Sequence, residues 1–276
     1  MSVILRDIDK DNVSGYLGNK LFILAAAYTL AHKNKVDLLV PPFEFQDIFK
    51  KPFFKIISEY GSSINENDIE DYNEPNFEYN EIKYQPNISL HGYFQSYHYF
   101  TPSMKKTLKL RDDIIDDAIH KVNNQLHETY ETILAYNRIC SIHCRFSDYL
   151  SLESHYVNLS KTDYYQRSMA IMDEKTDYFL VFSNDIPLAK TLFKGKKFIY
   201  CESEQEKPLG NKSAVEDLYL QSLCDDHITA NSSFSWWSSW LGDSLNKRVI
   251  APSNWFGPAL KHYSTDDLIP KTWIQM

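Results

Sequence analysis

Apolar and polar positions alternate in a regular way from residue 138 onward. Short apolar runs predict buried strands, and the longer stretches between them have the spacing of amphipathic helices. The predicted strands span 139–143, 178–182, 197–201, 227–230 and 248–251, and the predicted helices span 162–173, 187–193, 214–223 and 234–245. Strands that alternate with helices indicate a parallel sheet of the nucleotide-binding type, so this half of the chain is predicted to be α/β.

The first half of the chain shows a weaker pattern. It predicts an alanine-rich helix over 21–33, strands over 36–40 and 89–95, and one long helix over 111–135. Residues 43–90 are interrupted by prolines and are predicted to be irregular, with a solvated acidic surface over 65–78. The long helix is expected to separate two halves of the protein.

Composition narrows the class of protein. With 276 residues, of which 43% are hydrophobic, the chain is long enough for two ordinary domains. A net charge of −8 argues against nucleic-acid binding. The start of the chain lacks the apolar core of a signal peptide, and the longest apolar run, 21–31, is too short to span a bilayer. We therefore expect a soluble intracellular protein.

Polar and ionisable residues follow the predicted strands of the second half. They occupy positions 143–148, 183–185, 202, 231–233 and 252–255. Because the carboxyl ends of parallel strands meet at one edge of a sheet, these residues are expected to lie together where such folds bind ligands. A sheet with a purely structural role does not need an arginine, a histidine and three acids at this edge.

Two of these segments favour a phosphate ligand. Ser232 and Ser233 stand between a strand and a helix, where hydroxyl and backbone N–H groups bind anions; the alternative is an ordinary helix N-cap. Arg145 can bind phosphate oxygens in a bidentate way, which suits a diphosphate if the sheet order brings its strand beside that turn. The alternative for Arg145 is a structural pair with Asp148.

Other polar positions leave more than one interpretation open. Asp185 can accept the N1–H and N2–H of guanine together, which selects guanine over adenine, or it can cap the following helix. His143 can hydrogen-bond a base or a phosphate, or it is a structural residue at a strand end. The paired acids are explained as helix faces or loops, and the four cysteines include no Cys-x-x-Cys pair, so no metal site is predicted.

Four segments, in order along the chain, carry a resemblance to a known family. They are Gly18-Asn19-Lys20-Leu21-Phe22; Gly92-Tyr93-Phe94-Gln95-Ser96 with Tyr99-Phe100; His143-x-Arg145-x-x-Asp148; and Glu216-Asp217-Leu218 with His227-Ile228-x-Ala230-Asn231-Ser232-Ser233-Phe234-Ser235-Trp236-Trp237, followed by Trp255-Phe256. Together they resemble the alpha-1,2-fucosyltransferases of glycosyltransferase family 11. The last block is highly specific, whereas each of the others is weak alone.

The resemblance implies an α/β fold of the GT-B type, with two Rossmann-like domains facing a cleft. Residues 1–137 would form the acceptor-side domain, and residues 138–276 would form the domain that binds the GDP-sugar. It implies an inverting transfer of L-fucose from GDP-fucose to the 2-hydroxyl of a galactose-type acceptor in glycan synthesis, with no metal and no cofactor besides the donor substrate. A chain of this length without an anchor fits a cytoplasmic enzyme of bacterial or viral type.

The resemblance also implies roles for individual residues. Arg145 and the turn at Ser232 and Ser233 would stabilise the charge on the leaving diphosphate. The catalytic set is Arg145, Asp148 and Glu153, and the general base is left open among Asp148, Glu153 and His155. The donor-binding set is Asn19, Lys20, His143, Arg145, Asp185, Asn231, Ser232, Ser233 and Phe234, and the acceptor-side set is Tyr93 and Gln95.

Two positions depart from the family pattern. Phe146 stands where the family has a second arginine, which removes a positive charge near the diphosphate, and Lys20 stands where the family has glutamine. We hypothesise that Lys20 partly restores that charge. Two other interpretations stay open: a GT-B transferase that uses another GDP-sugar, and a catalytically silent protein that binds GDP or a sugar.

Overall fold

A computed structural model of the protein describes residues 1–8, 16–57, 65–124, 129–146, 149, 152–202 and 212–276. The chain divides into two compact units, of which the first comprises Met1–Asp112 and Tyr263–Pro270 and the second comprises Asp113–His262 and Lys271–Met276. The division therefore lies earlier than the predicted one at residue 137. The segment after Asp112 packs with the second unit, where the hydroxyl of Tyr130 donates to the carbonyl of Leu220 at 3.0 Å.

The first unit contains a parallel sheet. Its strands are β1 (Ser2–Ile4), β2 (Asp37–Val40), β3 (Lys55–Ile56), β4 (Glu70–Asn73) and β5 (Ile88–His91). They lie in the order β3-β2-β1-β5-β4. Helix α1 (Leu17–Asn34) follows β1 and is largely buried, and it ends at Lys35, which adopts the left-handed conformation with φ of 57°. The predicted helix over 21–33 and the predicted strand over 36–40 are confirmed.

The strand β4, like β3, lies in the segment that was predicted to be irregular, so that prediction was wrong at residues 55–56 and 70–73. The pairing runs from Glu70 opposite Ile88 to Asn73 opposite His91. Because β4 is at the edge of the sheet, its polar side chains can remain in water while its backbone pairs with β5. A pattern of apolar side chains does not detect such a strand. The strand β1 was missed because it has only three residues before charged positions begin.

The second unit contains a six-stranded parallel sheet. Its strands are β6 (Ile139–Cys144), β7 (Tyr178–Ser183), β8 (Phe198–Tyr200), β9 (Asp226–Ile228), β10 (Val249–Ala251) and β11 (Ile274–Gln275). They lie in the order β11-β10-β9-β6-β7-β8, so β6 has β9 on one side and β7 on the other. The prediction of a parallel α/β sheet in this half of the chain is confirmed, and β11 was not predicted.

The remaining helices connect these strands. They are α2 (Met104–Thr107), α3 (Asp112–Asn123), α4 (Tyr130–Tyr136), α5 (Tyr164–Met172), α6 (Ile186–Leu192), α7 (Lys212–Ser222) and α8 (Ser233–Leu241), with short 3₁₀ turns at Glu66–Asp68, Tyr97–Tyr99, Leu159–Lys161, Asp173–Lys175 and Pro258–Leu260. The prediction of one continuous helix over 111–135 was wrong. A new helix begins after Thr129, whose side chain accepts a hydrogen bond from the N–H of Thr132. None of the helices in the described ranges is both long enough and apolar enough to cross a membrane.

Strand β6 is buried on both faces of its sheet. Cys140, Ile142 and Cys144 belong to one buried hydrophobic cluster, while Ile139 belongs to another that includes Tyr130. A central parallel strand covered on both faces is expected in an α/β unit. The apolar interior of the strand leaves polar chemistry to the residues at its two ends.

At the amino-terminal edge of the second sheet, Asp226 pairs with two arginines. Its carboxylate, which is fully buried, accepts two bonds of 2.9 Å from Arg138 before β6 and a bond of 2.6 Å from Arg248 before β10. Burial opposes the charge of Asp226, but the bonds from Arg248 and Arg138 hold its pKa below the usual value. The three central strands are therefore tied together at the edge opposite to the candidate site.

Candidate active site

The strands that precede Arg145 and the Ser232–Ser233 turn are neighbours. Ser141 of β6 lies opposite His227 of β9, and the two strands run parallel. Their carboxyl ends therefore reach the same edge of the sheet, with the start of α8 directly after the β9 end. The expectation that the sheet order brings these two segments together is confirmed.

The turn into α8 is stabilised from inside the helix. Ser232 is the N-cap residue, with extended backbone angles, but its side chain makes no capping hydrogen bond. Instead, the hydroxyl of Ser235 accepts from the N–H of Ala230 at 3.2 Å and donates to the carbonyl of Ser232 at 3.3 Å. The N–H of Trp236 donates to the carbonyl of Ser232 at 3.1 Å. The N–H groups before it form the positive end of the helix dipole.

Asn231 fixes the strand end to two neighbouring segments. Its side-chain amide donates to the carbonyls of Val157 at 3.0 Å and Trp255 at 2.9 Å. Asn231 is buried, and its Oδ1 atom has no hydrogen-bond partner among the described residues. The amide nitrogen of Asn231 thus has a structural role, and the amide oxygen remains as a hydrogen-bond acceptor at the edge of the sheet.

His143 and Phe234 are in contact. Their ring centroids are 5.2 Å apart, with 39° between the ring planes. His143 is buried at the end of β6, where its carbonyl accepts from the hydroxyl of Tyr165 at 3.0 Å. His143 and Phe234 were both predicted to bind the donor. They are far apart in the sequence but lie side by side in the structure.

Arg145 is half-buried and lies against an aromatic stack that the sequence analysis missed. Its guanidinium carbon is 5.5 Å from the ring centre of Tyr149. The ring of Tyr149 stacks on Tyr156, with centroids 4.4 Å apart and 8° between the planes. The hydroxyl of Tyr149 donates to the carbonyl of Asn231 at 3.0 Å. The contact between Arg145 and Tyr149 depends on the tertiary fold, which the pattern of apolar and polar positions does not give.

Phe146 points into the core of the second unit. Its side chain is fully buried and packs edge-on against Tyr165, with centroids 6.3 Å apart. Its backbone N–H donates to the side chain of Asn184 at 2.8 Å, which links the ends of β6 and β7. The phenyl ring at this position therefore contributes to hydrophobic packing.

Asp185 is the N-cap of α6. Its Oδ1 atom accepts from the N–H of Leu188 at 3.0 Å. The capping interpretation of Asp185 is confirmed, and its contact with guanine stays a prediction. Since β7 pairs with β6 as far as Ser183 opposite Cys144, Asp185 lies at the same sheet edge as His143.

The candidates for a general base in the segment after β6 have different surroundings. Glu153 is exposed and accepts from Lys161 at 2.6 Å and from Asn158 at 2.9 Å, and these bonds lower its pKa. The Nδ1 atom of His155 is 2.8 Å from the hydroxyl of Ser154. Asp148 lies outside the described residues. Both bonds end on Oε1 of Glu153, and its role as the general base stays a prediction.

In the first unit, Asn19 and Gln95 are joined directly. The amide nitrogen of Gln95 donates to Oδ1 of Asn19 at 2.9 Å. Lys20, on the same turn of α1, is buried, and its ammonium lies 5.8 Å from the ring centre of Phe45. Tyr93 is exposed. The hypothesis that Lys20 replaces a missing charge stays a prediction.

Glu74 follows β4 and holds the turn that carries Tyr93 and Gln95. Its Oε2 atom accepts from the N–H of Tyr93 at 2.8 Å and from the N–H of Phe94 at 3.0 Å. Burial raises the pKa of Glu74 to about 6, although these two bonds act in the opposite direction. The sequence analysis missed this residue because it placed Glu74 within an irregular acidic surface.

A second group of ionisable residues lies beside this turn. His91, the last residue of β5, has Nδ1 at 2.9 Å from Asp7 and Nε2 at 3.0 Å from Asp71, and Arg6 also bonds to Asp71. Hydrogen bonds from His91 and Arg6 lower the pKa of Asp71, against the effect of burial. Both nitrogens of His91 can donate at once only when the imidazole is protonated.

Comparison with known proteins gives the family. The sequence pattern of Glycosyl transferase family 11 matches residues 8–276. The chain belongs to glycosyl transferase family 11. Two relatives from Escherichia coli are the O-antigen biosynthesis glycosyltransferase WbnK and an alpha-1,2-colitosyltransferase. WbnK is 25% identical over 96% of this chain and 99% of its own, and the colitosyltransferase is 30% identical over 68% of this chain and 62% of its own.

The fold of this family 11 glycosyltransferase is also similar to solved structures. The NodZ alpha-1,6-fucosyltransferase soaked with GDP-fucose has a TM-score of 0.55 and 14% identity, over 87% of this chain and 92% of that chain. The protein thus has an α/β fold of the GT-B type, with a parallel sheet in each unit.

The edge of the second sheet offers this glycosyltransferase an electropositive, hydrogen-bonding surface. Arg145 supplies a permanent cation, and the start of α8 supplies the positive end of a helix dipole at the same edge of the sheet. Such a surface can stabilise negative charge that develops on a leaving phosphate group.

Proposed function

We propose that the protein transfers L-fucose from GDP-fucose to the 2-hydroxyl of a galactose-type sugar in glycan synthesis. The reaction inverts the anomeric configuration and needs no metal ion. The observation that supports this proposal most strongly is the parallel pairing of β6 with β9, because the strand before Arg145 and the strand before α8 then end at the same edge of the sheet. The family assignment and the alpha-1,2 linkage in the name of one relative support the same linkage here.

The donor diphosphate is proposed to lie at the amino end of α8. Arg145 and the N–H groups before Trp236 stabilise the charge that grows on the diphosphate as the bond to fucose breaks. Asp185 accepts hydrogen bonds from guanine with the carboxylate oxygen that does not cap α6. His143 and Phe234 form one wall of the donor site.

A donor that carries colitose in place of fucose is the second candidate. It is favoured by the relative that is 30% identical to this chain and is named an alpha-1,2-colitosyltransferase. The two candidates share the GDP part of the donor and the alpha-1,2 linkage. They differ only in the sugar that is transferred.

The test is a transfer assay in which GDP-fucose and GDP-colitose compete for galactose-terminated acceptors, with and without EDTA. The proposal predicts that fucose is transferred with an alpha-1,2 linkage and that EDTA has no effect. Arg145→Ala should lower kcat by about 100-fold, because the variant lacks a cation that stabilises the charge on the leaving diphosphate. The matched control is Arg167→Ala, since Arg167 is an exposed arginine on α5. Preferred transfer of colitose would establish the second candidate, and binding of GDP without any transfer would contradict both.

A further inference from the structure

We infer that Tyr79, His98 and Tyr263 form a carbohydrate-binding surface of the first unit, which holds the acceptor glycan against its aromatic rings. In naming the acceptor as the ligand, the inference rests on the proposed function. These three residues, the aromatic surface, lie outside the four segments that resemble the family. The contacts that form the aromatic surface are all within the first unit.

Asp267 holds together the segments that carry the aromatic surface. Its Oδ2 atom accepts from the N–H of Tyr79 at 2.9 Å, and its carbonyl accepts from the N–H of Tyr97 at 3.1 Å. Its Oδ1 atom is 3.4 Å from Nε2 of His98. Asp267 itself lies in the segment Tyr263–Pro270 of the first unit, so residues that are distant in the sequence are fixed side by side.

The ring of Tyr79 is exposed but held in place. It packs against the ring of Tyr99, with centroids 4.9 Å apart, and against the ring of His98, with centroids 5.7 Å apart. Tyr99 is buried, and its hydroxyl accepts from the N–H of Asn80 at 3.1 Å. Tyr79 itself is 41% exposed. A buried ring therefore supports Tyr79, while a large part of Tyr79 stays available to a ligand.

Tyr263 is supported in a similar way. It is 38% exposed, and its ring packs on the half-buried ring of Phe77, with centroids 5.3 Å apart and 35° between the planes. Phe77 stands two residues before Tyr79. Tyrosines that are already ordered lose little conformational entropy when a ligand covers them, so such rings suit a recognition surface.

The aromatic surface lies where a ligand of the first unit is expected. Tyr79 belongs to the segment after β4, and His98 belongs to the segment after β5. The two strands are parallel neighbours, so both segments leave the carboxyl edge of the sheet, where α/β folds bind ligands. Tyr93, which was predicted to lie on the acceptor side, also follows β5 and is exposed.

Sugar rings suit these side chains. The C–H groups of a sugar pack on the negative face of an aromatic ring, and its hydroxyls need hydrogen-bond acceptors nearby. Glu74 offers such an acceptor. Both backbone bonds to its carboxylate, from Tyr93 and Phe94, end on Oε2, and Oε1 accepts no bond from a described residue. The charge of Glu74 acts on Tyr99, which packs against Tyr79.

The charge at the aromatic surface disfavours an anionic ligand. Four acids lie in or next to the segments that form it: Glu74, Glu78, Asp266 and Asp267. Glu78 and Asp266 are exposed. These acids repel a nucleoside diphosphate, whereas they do not repel a neutral glycan. The occupant that fits is therefore the neutral acceptor and not the donor.

The test measures glycan binding and sugar transfer separately in the full chain. Neutral oligosaccharides that end in galactose are titrated into the protein without a donor, and the KM values for acceptor and donor come from the transfer assay. Tyr79→Leu and Tyr263→Leu keep an apolar side chain but lose the flat ring. Each should weaken glycan binding and raise the acceptor KM by about 2- to 12-fold, while the donor KM and the thermal shift caused by GDP stay unchanged. The control is Tyr136→Leu, because Tyr136 is an exposed tyrosine of the second unit.

Several results would overturn the inference. One is a folded wild-type protein that binds none of the oligosaccharides. Another is a glycan affinity and an acceptor KM that are the same in both variants as in the wild type. A donor KM that rises as much as the acceptor KM would reduce the two tyrosines to a structural role. If one variant does not fold, the other decides. Glycan binding that depends on these tyrosines, without transfer from any GDP-sugar, would refute the proposed function and still support the carbohydrate-binding surface.

Discussion

The guanidinium of Arg145 lies over the ring of Tyr149, with 5.5 Å between its central carbon and the ring centre. Tyr149 is itself stacked on Tyr156 and bonded through its hydroxyl to the carbonyl of Asn231. The orientation of the arginine thus depends on a tyrosine that also contacts the strand end before α8. Arg145 and the Ser232–Ser233 turn are therefore linked through one aromatic side chain.

Replacing Tyr149 by leucine should weaken GDP binding by about three- to thirtyfold, because a cation–π contact contributes about 0.5–2 kcal/mol. Tyr149→Phe keeps the ring and should leave GDP affinity nearly unchanged, while the lost hydroxyl bond should lower the free energy of unfolding by about 1 kcal/mol. Calorimetric titration with GDP and urea unfolding measure the two effects. Tyr136→Leu is the control, since Tyr136 is 84% exposed. Equal GDP affinity in Tyr149→Leu and the wild type would show that the stack does not orient Arg145.

Asp185→Asn should separate the two roles of that residue. Asparagine caps helices as well as aspartate does, so the thermal stability of the protein should be nearly unchanged. The preference for GDP over ADP should fall by about tenfold, because a charged acceptor of two N–H groups is replaced by a neutral one. Asp185→Ala should lose both the preference and about 1 kcal/mol of stability. A preference for GDP that survives in Asp185→Asn would leave Asp185 with the capping role alone.

Asp226→Ala should destabilise the protein by about 3–5 kcal/mol, because it leaves Arg138 and Arg248 without their buried partner. In the folded protein, the pKa of Asp226 lies below the value of about 3.9 that applies in the unfolded chain. The carboxylate of Asp226 therefore stabilises the folded protein above a pH of about 3.9, and this stabilisation is lost as the pH falls through the folded-state pKa. Urea unfolding at pH 7 and pH 3 measures both effects. Asp163→Ala removes an exposed acid paired with Arg167 and should cost less than about 0.5 kcal/mol. Similar losses in both variants would contradict the importance of the buried pair.

Glu74→Gln should make the protein more stable at pH 8 by about 2 kcal/mol and have little effect near pH 4. The folded pKa of Glu74 is raised from 4.5 to about 6, so its stabilising contribution is complete below the unfolded pKa and is lost as the pH rises through the folded value. Unfolding of both proteins in urea across pH 4–8 gives the difference directly. A difference that does not change with pH would show that burial has not raised this pKa.

The fold of the second unit was largely predictable, and part of the first was not. Strands such as β6 and β7 are continuous apolar runs because both of their faces are buried, which is a strong sequence signal. The strand β4 is polar because it is an edge strand, and its pairing is made by the backbone. Sequence analysis based on side chains therefore placed a strand of the sheet in an irregular region.

The candidate site was predictable as far as its residues follow strands. His143, Arg145 and Ser232 could be grouped because parallel strands end at one edge. Tyr149 and Glu74 could not, since their roles depend on which side chain lies over which backbone group. Asp185 was predictable as a helix cap from its place before Ile186 and Pro187.

The segment Tyr263–Pro270 belongs to the first unit, although it follows nearly all of the second unit in the chain. Asp267 accepts from the backbone of Tyr79 at 2.9 Å, and its carbonyl accepts from Tyr97 at 3.1 Å. When residues 1–112 have emerged from the ribosome, part of the first unit has therefore not yet been synthesised. During synthesis, the last part of the first unit emerges some 150 positions after residue 112, when most of the second unit is already available to fold.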